Sequence, residues 1–282
     1  MHQPAYSLNF CVKQINSNAN FVRSAFVPAA SLGIMNSEFS KLEEYAMQTL
    51  GQVPEIVRYL GRINESLALE QFRENTVLYL GRTNISRKMS SLIAIAVSSA
   101  NGQKDSVSLH FRLARKFGAD PLEILDALKA AKMVLMSNSM STLQSTLSIF
   151  EKSFHPPEKR EEVEIIINNI KKESGLDAVP ETLSALSRIS FDLFSEHLKE
   201  KSELMSPLSL NSKSVFLISY AVSVSLGSEI CAQTYLKQYI RSGGLLPEIE
   251  DAIAISRFIT GNRSFISSSA ILRELSESVG QQ

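Results

Sequence analysis

Apolar residues recur at helical spacing along most of the chain from Ser40 onward. The segment KLEEYAMQTLG predicts a helix that ends at Gly51. The segment PEIVRYLGRINESLALEQFREN, which begins at Pro54, predicts one further helix. No part of the sequence shows sustained period-two alternation, and no Asn-Gly pair joins two β-branched runs. The pattern therefore predicts an all-α protein.

A helical hairpin is the clearest local element. Residues 86–100, SRKMSSLIAIAVSSA, are apolar or small, which predicts a largely buried helix ended by Asn101-Gly102. A second helix is expected to begin near Lys104–Ser106 and to run to Lys116, with Gly118 as its C-cap. Asp120-Pro121 then predicts the start of a third helix.

This hairpin occurs twice in the sequence. A shift of 125 residues superimposes the stretch that begins at Lys88 on the stretch that begins at Lys213, and it makes twelve pairs identical. The identical residues of the first stretch are Lys88, Leu92, Ile93, Ala96, Val97, Ser98, Gly102, Gly118, Glu123, Ile124, Asp126 and Ala127. A shift of 126 residues similarly matches the helices that precede each stretch. We therefore predict two tandem repeats that pack together, residues 37–155 and 156–282, divided near Pro156-Pro157.

Residues 1–36 differ in composition from the rest of the chain. They contain no Asp or Glu, while Lys13 and Arg23 stand among Ser, Asn and Ala. This composition is a weak organelle-targeting signal. The favoured interpretation is a flexible N-terminal extension, or an upstream start with Met35 as the natural first residue.

Charge and cysteine content exclude several classes of protein. Lys plus Arg and Asp plus Glu are both 29, so the basic excess typical of nucleic-acid binders is absent. No apolar run reaches the length of a membrane span. The two cysteines, Cys11 and Cys231, are too few for a disulfide framework and favour a reducing, cytoplasmic setting, although a single bond between them stays open. The four histidines lack metal-ligand spacing, so we expect no metal and no cofactor.

The two hairpins carry the segments AVSSANG…H…FGADPLEILDAL and AVSVSLG…RSGGLLPEIEDAI. This framework resembles the carboxymuconolactone decarboxylase and alkylhydroperoxidase (AhpD-like) family. The family pattern is a buried helix, a short Gly-containing turn, Cys-x-x-Cys-x-x-x-His at the start of the next helix, and then a Gly and an acidic segment. The resemblance covers most of residues 40–275. It implies an all-α fold and assembly into homo-oligomers.

The resemblance also locates the positions that carry chemistry in the peroxidase branch of the family. The two cysteine positions and the histidine position hold, in the first repeat, Gln103, Ser106 and His110, and in the second repeat, Ser228, Cys231 and Tyr235. The position of the family's relay glutamate falls on Ser91 and Phe216. The first repeat therefore has the histidine without a thiol, and the second has one thiol without the histidine.

A two-thiol peroxidase cycle requires a thiolate at a helix N-terminus and a second thiol that resolves the sulfenate. Neither repeat has both. Cys231 could act with His110 of the other repeat, across an internal two-fold or a subunit interface, and Cys11 could be a distant resolving thiol. The competing interpretation is structural: Cys231 is a small buried hydrophobe, His110 pairs with Ser106, and Tyr235 packs in the core. A serine hydrolase is disfavoured because no G-x-S-x-G elbow surrounds Ser106.

We therefore predict a degenerate family member, a scaffold or a small-molecule-binding protein without the two-cysteine centre. The alternatives are an antioxidant oxidoreductase that uses Cys231 on hydroperoxides, with His110 as its partner, and a cofactor-free lactone decarboxylase. The expected partners are further copies of the chain and a small molecule or hydroperoxide, without nucleic acid or membrane.

Overall fold

A computed structural model describes residues 38–154, 159–174 and 179–279. The predictions made for residues 1–36, including Cys11, and for the Pro156-Pro157 boundary lie outside these ranges. Residues Phe39–Gln282 form one compact unit. The all-α prediction is confirmed, because the described ranges contain helices, turns and no β-strand.

The described helices are numbered here in chain order. They are α1 (Glu38–Leu50), α2 (Glu55–Ile63), α3 (Glu65–Asn75), a π-helical turn (Thr76–Leu80), α4 (Arg87–Ala100), α5 (Lys104–Lys116), α6 (Pro121–Ser139), α7 (Leu143–Ser153), α8 (Arg160–Ser174), α9 (Glu181–Ile189), α10 (Phe191–Met205), α11 (Ser212–Ser225), α12 (Glu229–Arg241), α13 (Leu246–Gly261), α14 (Arg263–Ser267) and α15 (Ser269–Val279).

Four helices, α4, α6, α11 and α13, build the main core. The nine consecutive residues Ser90–Ser98 of α4 are buried, because small and apolar side chains allow neighbours to approach on every side. The same hydrophobic cluster contains α11 residues from Val215 to Val222 and α13 residues from Ile249 to Ile259. The two halves of the sequence therefore share one core instead of each enclosing its own.

Two smaller clusters flank this core, and each includes a helix from the other half of the sequence. Leu272 of α15 packs with Leu42, Val57 and Leu60 of α1 and α2. In the other cluster, Leu143 of α7 packs against the group that contains Val163, Leu183 and Phe194 of α8–α10. The apolar faces of the short outer helices are thus covered by distant chain, more than 200 residues away in the first cluster and 20 to 51 residues away in the second.

The prediction of a single helix after Pro54 is wrong, because the segment is broken at Asn64. Asn64 adopts an extended conformation (φ −158°, ψ 105°), and its side chain accepts a hydrogen bond of 3.1 Å from the Leu67 N–H. The asparagine side chain thereby caps a new helix, and the segment is divided into α2 and α3.

The predicted hairpin agrees with the structure in its bounds and caps. Gly102, at φ +71°, makes the turn between α4 and α5, a conformation that side chains with a Cβ rarely adopt. Asp120 accepts hydrogen bonds from the Leu122 and Glu123 N–H groups, and the Glu123 carboxylate accepts one from the Asp120 N–H. This capping box begins α6 where the sequence predicts it.

Two buried aspartates connect the halves reciprocally. Asp126 of α6 accepts hydrogen bonds of 2.9 to 3.0 Å from the backbone N–H groups of Leu208, Ser209 and Leu210, in the loop before α11. Asp251 of α13 accepts from the backbone N–H groups of Asn84 (2.8 Å) and Ile85 (3.2 Å), in the loop before α4. Each aspartate therefore holds the loop that leads into a core helix of the other half, which is α11 for Asp126 and α4 for Asp251.

The two aspartates also have cationic partners. Arg82 donates to Asp251 at 2.7 Å, and Lys129 lies 3.4 Å from Asp126. Burial alone would raise the pKa of Asp126. The three backbone N–H groups and Lys129 outweigh that effect and hold the pKa of this carboxyl below its usual value.

Asp126→Ala or Asp251→Ala should destabilise the protein by about 3 kcal/mol, because either change leaves several partly buried backbone donors without their acceptor. Chemical denaturation, monitored by circular dichroism, measures the decrease in the free energy of unfolding. Asp192→Ala, an exposed aspartate in the first turn of α10, is the matched control and should cost less than about 1 kcal/mol. Equal losses in the three variants would contradict the reciprocal role.

Candidate functional site

A cavity of about 670 Å³ lies beside the first hairpin. Its wall includes Ser106 and His110 of α5, Asn75 at the end of α3, and Phe258 and Ile259 of α13. The helix of the second half therefore completes a cavity whose polar groups come mainly from the first half. Its volume lies in the range of small-molecule sites. About half of the residues that line it are polar or charged, among them Glu55, Arg58, Asp105 and Arg112.

His110 is buried in the wall of this cavity and contacts Tyr79 behind it. Its Nδ1 lies 3.1 Å from the Tyr79 hydroxyl, and that hydroxyl lies 3.2 Å from Ser91 Oγ. The Ser91 hydroxyl donates in turn to the Arg87 carbonyl oxygen at 2.9 Å. The Tyr79 ring meets His110 edge-on and stacks on Phe258, with ring centroids 5.1 and 6.2 Å apart.

Burial sets the charge state of this group of side chains. It lowers the pKa of His110 to about 3, so the imidazole is neutral near pH 7. It raises the pKa of Tyr79 to about 12. The site therefore presents a neutral imidazole and a neutral phenol, both of which are hydrogen-bonding groups.

The π-helical turn positions Tyr79. The Gly81 N–H donates to the Thr76 carbonyl oxygen at 2.7 Å, which closes the wide turn. A Cβ added at Gly81 would lie 2.5 Å from that oxygen, so glycine permits the close approach. π-helical turns often occur at functional sites.

Several amides line or adjoin the cavity wall. The Gln71 side chain donates to the Asn262 side chain at 2.7 Å, and Gln103 donates to the Ile259 carbonyl oxygen at 2.8 Å. The second of these bonds connects the start of α5 to α13. Gln103 thus joins the two halves at a position where the family pattern has a cysteine.

Cys231 lies in a different group of side chains, at the start of α12. The hydroxyls of Ser228 and Ser137 hydrogen-bond its thiol, and Lys201 of α10 is close enough for electrostatic interaction. Burial raises the pKa of Cys231, and these three neighbours offset only part of that shift. The Tyr235 hydroxyl donates to Met205 Sδ at 3.9 Å. The thiol is therefore favoured over the thiolate.

The two groups occupy corresponding places in the two halves. His110 and Tyr235 are 125 residues apart, and Tyr79 and Met205 are 126 apart, so the His110–Tyr79 contact corresponds to the Tyr235–Met205 contact. Asn262, which lines the cavity, similarly corresponds to Ser137, which hydrogen-bonds Cys231. Equivalent positions in one framework thus carry different chemical groups.

The structure places the predicted residues as follows. Ser106 and His110 share the wall of the cavity, but the observed partner of His110 Nδ1 is Tyr79 and not Ser106. Gln103 and Ser228 occupy the N-cap positions of α5 and α12. The contacts described for Cys231 and for His110 involve different side chains, and no contact joins these two residues within the described ranges.

Sequence reasoning missed Tyr79, Asn75 and Lys201. Extending the shift of 126 residues would have paired Asn75 with Lys201 and Tyr79 with Met205, but neither pair is identical, so the comparison of the halves carries no signal there. Ser91 was identified by its relay position, and the structure connects it to His110 only through Tyr79.

Within the described ranges, no group of three or more His, Cys, Asp or Glu side chains is arranged to hold a metal ion. None of the helices described is both long enough and apolar enough to cross a bilayer.

Comparison with known proteins identifies the class of fold first. A crystal structure from Burkholderia xenovorans superimposes with a TM-score of 0.72 and 17% sequence identity, covering 84% of this chain and 97% of that chain. That protein has been provisionally named a gamma-carboxymuconolactone decarboxylase subunit. At this identity the similarity shows the fold alone.

A sequence match supports the resemblance over part of the chain. The model of the carboxymuconolactone decarboxylase family matches residues 67–142, which contain Tyr79, Ser91 and His110. The resemblance stated from the hairpin segments is therefore confirmed. None of the curated proteins compared with the chain matches it.

The depressed pKa of His110 predicts a specific pH dependence. In the unfolded chain this histidine gains a proton below about pH 6.5, whereas in the folded protein it stays neutral down to about pH 3. The free energy of unfolding should therefore decrease as the pH falls through this window, by about 1.4 kcal/mol per pH unit. Denaturation of the wild type and of His110→Gln between pH 6.5 and 4.5 isolates the effect, because contributions from other groups cancel in the difference. Parallel curves would contradict the buried neutral state.

Proposed function

We propose that this protein binds a small organic molecule in the cavity beside His110 and operates without a two-thiol peroxidase cycle. The observation that carries the proposal is a neutral, buried imidazole in the wall of a cavity of about 670 Å³. Phe258 and Ile259 supply apolar surface, His110 and Ser106 supply neutral polar groups, and charged side chains such as Arg58 and Arg112 also line the cavity. This combination is typical of sites that bind small molecules and orient them.

The charge state of His110 favours binding over proton abstraction. A general base is most effective when its pKa lies near the working pH. Burial lowers the pKa of His110 to about 3, far below that range. Lactone decarboxylation without a cofactor is supported by the family match, and it is the second candidate; release of CO₂ from muconolactone-type substrates would favour it over binding alone.

Ligand-observed NMR with a panel of small lactones, alcohols and phenols tests binding directly. We expect binders whose affinity falls at least tenfold in His110→Gln, because that change removes the imidazole from the wall. Ser187→Ala is the matched control, since Ser187 lines a separate cavity of about 470 Å³ among α7–α9. A protein that binds no compound would be a scaffold, and equal binding in His110→Gln would place the ligand elsewhere.

The hydroperoxide alternative rests on Cys231. Its raised pKa and its burial argue against a reactive thiolate. A charged Lys201 would stabilise the thiolate. Burial lowers the pKa of Lys201, however, which disfavours its charged form and so weakens this stabilisation.

We expect Cys231 to react slowly with iodoacetamide at pH 7, with an apparent pKa above the ordinary value of a thiol, when alkylation rates are measured in a Cys11→Ser background. Cumene hydroperoxide with a thiol reductant should be consumed no faster than without protein. Rapid consumption that stops in Cys231→Ser, together with a trapped sulfenate, would establish the peroxidase alternative and overturn the proposal.

Assembly of the chain into homo-oligomers is proposed on the family resemblance. Exposed apolar side chains such as Leu122, Leu245 and Leu246 at the starts of α6 and α13 are available for such contacts. Light scattering in solution measures the oligomeric state.

A further inference from the structure

The contacts behind His110 form a chain in which each hydroxyl has a single proton to donate. Ser91 Oγ lies 2.9 Å from the Arg87 carbonyl oxygen, which can only accept. The Ser91 proton is therefore used in that bond. The 3.2 Å contact between Ser91 and Tyr79 then needs its proton from the Tyr79 hydroxyl.

The tautomer of His110 follows from the same count of protons. Once the Tyr79 proton points to Ser91, the tyrosine oxygen can only accept in its 3.1 Å contact with His110 Nδ1. Nδ1 must then carry the imidazole proton. All three contacts are satisfied together only if the donors run from His110 to Tyr79, from Tyr79 to Ser91, and from Ser91 to Arg87.

The opposite ring nitrogen is consequently an acceptor. His110 Nε2 has no hydrogen-bond partner among the described residues. His110 lines the cavity, and its Nε2 is not among the buried polar atoms that lack a partner, so we take Nε2 to face that cavity. Its lone pair is available to an occupant of that cavity.

We propose that Tyr79 is a positioning residue that holds His110 as the Nδ1–H tautomer, and that the cavity therefore selects ligands that offer a hydroxyl or N–H donor to Nε2. The ligand part of this inference rests on the proposed function, whereas the tautomer part rests on the contacts alone. An ionised carboxylate or an ether oxygen has no proton to give and would face the lone pair unfavourably. The expected occupant is a neutral alcohol, phenol or enol with an apolar body that packs against Phe258 and Ile259.

Two substitutions distinguish positioning from packing, because they predict different tautomer states of His110, neither of them that of the wild type. Tyr79→Phe removes the acceptor of the Nδ1 proton and should give a mixture of tautomers. Ser91→Ala removes the acceptor of the Tyr79 proton, so the tyrosine should donate to Nδ1 instead and shift His110 to the Nε2–H form. Tyr220→Phe, the same chemical change in a buried tyrosine of α11, is the control and should leave His110 unchanged.

Long-range ¹H–¹⁵N NMR of histidine-labelled protein measures the tautomer without any ligand. The signals of His110 are assigned by their loss in His110→Gln. We expect the wild type and Tyr220→Phe to show a protonated Nδ1 and an unprotonated Nε2 at pH 7. An Nε2–H tautomer or a charged imidazole in the wild type would overturn the inference. So would a Ser91→Ala spectrum identical to that of the wild type, provided that both proteins show the same circular dichroism.

Binding of matched probes measures the selectivity. Phenol, anisole and benzoate share a ring but differ in hydrogen-bonding character. We expect the wild type to bind phenol roughly fivefold more tightly than anisole, because the net free energy of one neutral hydrogen bond corresponds to about that ratio of affinities. Ser91→Ala should abolish or reverse that preference, since the protein then presents an N–H.

The outcomes separate this inference from the proposed function. Phenol binding no tighter than that of anisole, in a protein that binds both, would overturn the selectivity and leave binding itself intact. A protein that shows the predicted tautomers but binds none of the probes, and no compound of the wider panel, would support the role of Tyr79 and contradict the proposed function.

Discussion

The reciprocal hydrogen bonding of Asp126 and Asp251 is the constraint on which the rest of the structure depends. Each carboxylate is buried in the shared core and accepts several N–H groups from the loop that leads into the other half's central helix. A buried carboxylate is costly unless such donors satisfy it. Neither half can satisfy its own aspartate from these contacts, so the two must fold against each other.

This arrangement also explains why the cavity lies between the halves. α4 and α13 pack in one core, and the Gln103 side chain bonds the Ile259 carbonyl oxygen across that contact. The end of α13 consequently forms part of the wall beside His110. The corresponding place in the other half pairs Ser137 of α6 with Cys231 of α12. Each group is thus completed by a helix from the opposite half.

The chemistry of the two places differs because their side chains have diverged within a common backbone. His110 and Tyr79 form a neutral hydrogen-bonded pair, while Tyr235 and Met205 make only a long contact to sulfur. Burial disfavours charge in both places, lowering the pKa of His110 and raising that of Cys231. These neutral, buried groups are the basis on which small-molecule binding, and not thiolate chemistry, is proposed.

The sequence by itself determined the helical class, the hairpin with its caps, and the separation of a histidine from a thiol. These features depend on local rules: apolar spacing, Gly102 at positive φ, the Asp120 cap, and the identity of the side chains at positions 103, 106 and 110. It did not reveal the break at Asn64. The apolar pattern favoured one continuous helix, whereas the Asn64 side chain caps a new helix at this position. Only the tertiary structure decided that Tyr79 stands between Ser91 and His110, and that α13 completes the cavity. Those contacts join residues 12, 31 and more than 140 positions apart, at distances that depend on how the helices pack and not on any periodicity along the chain.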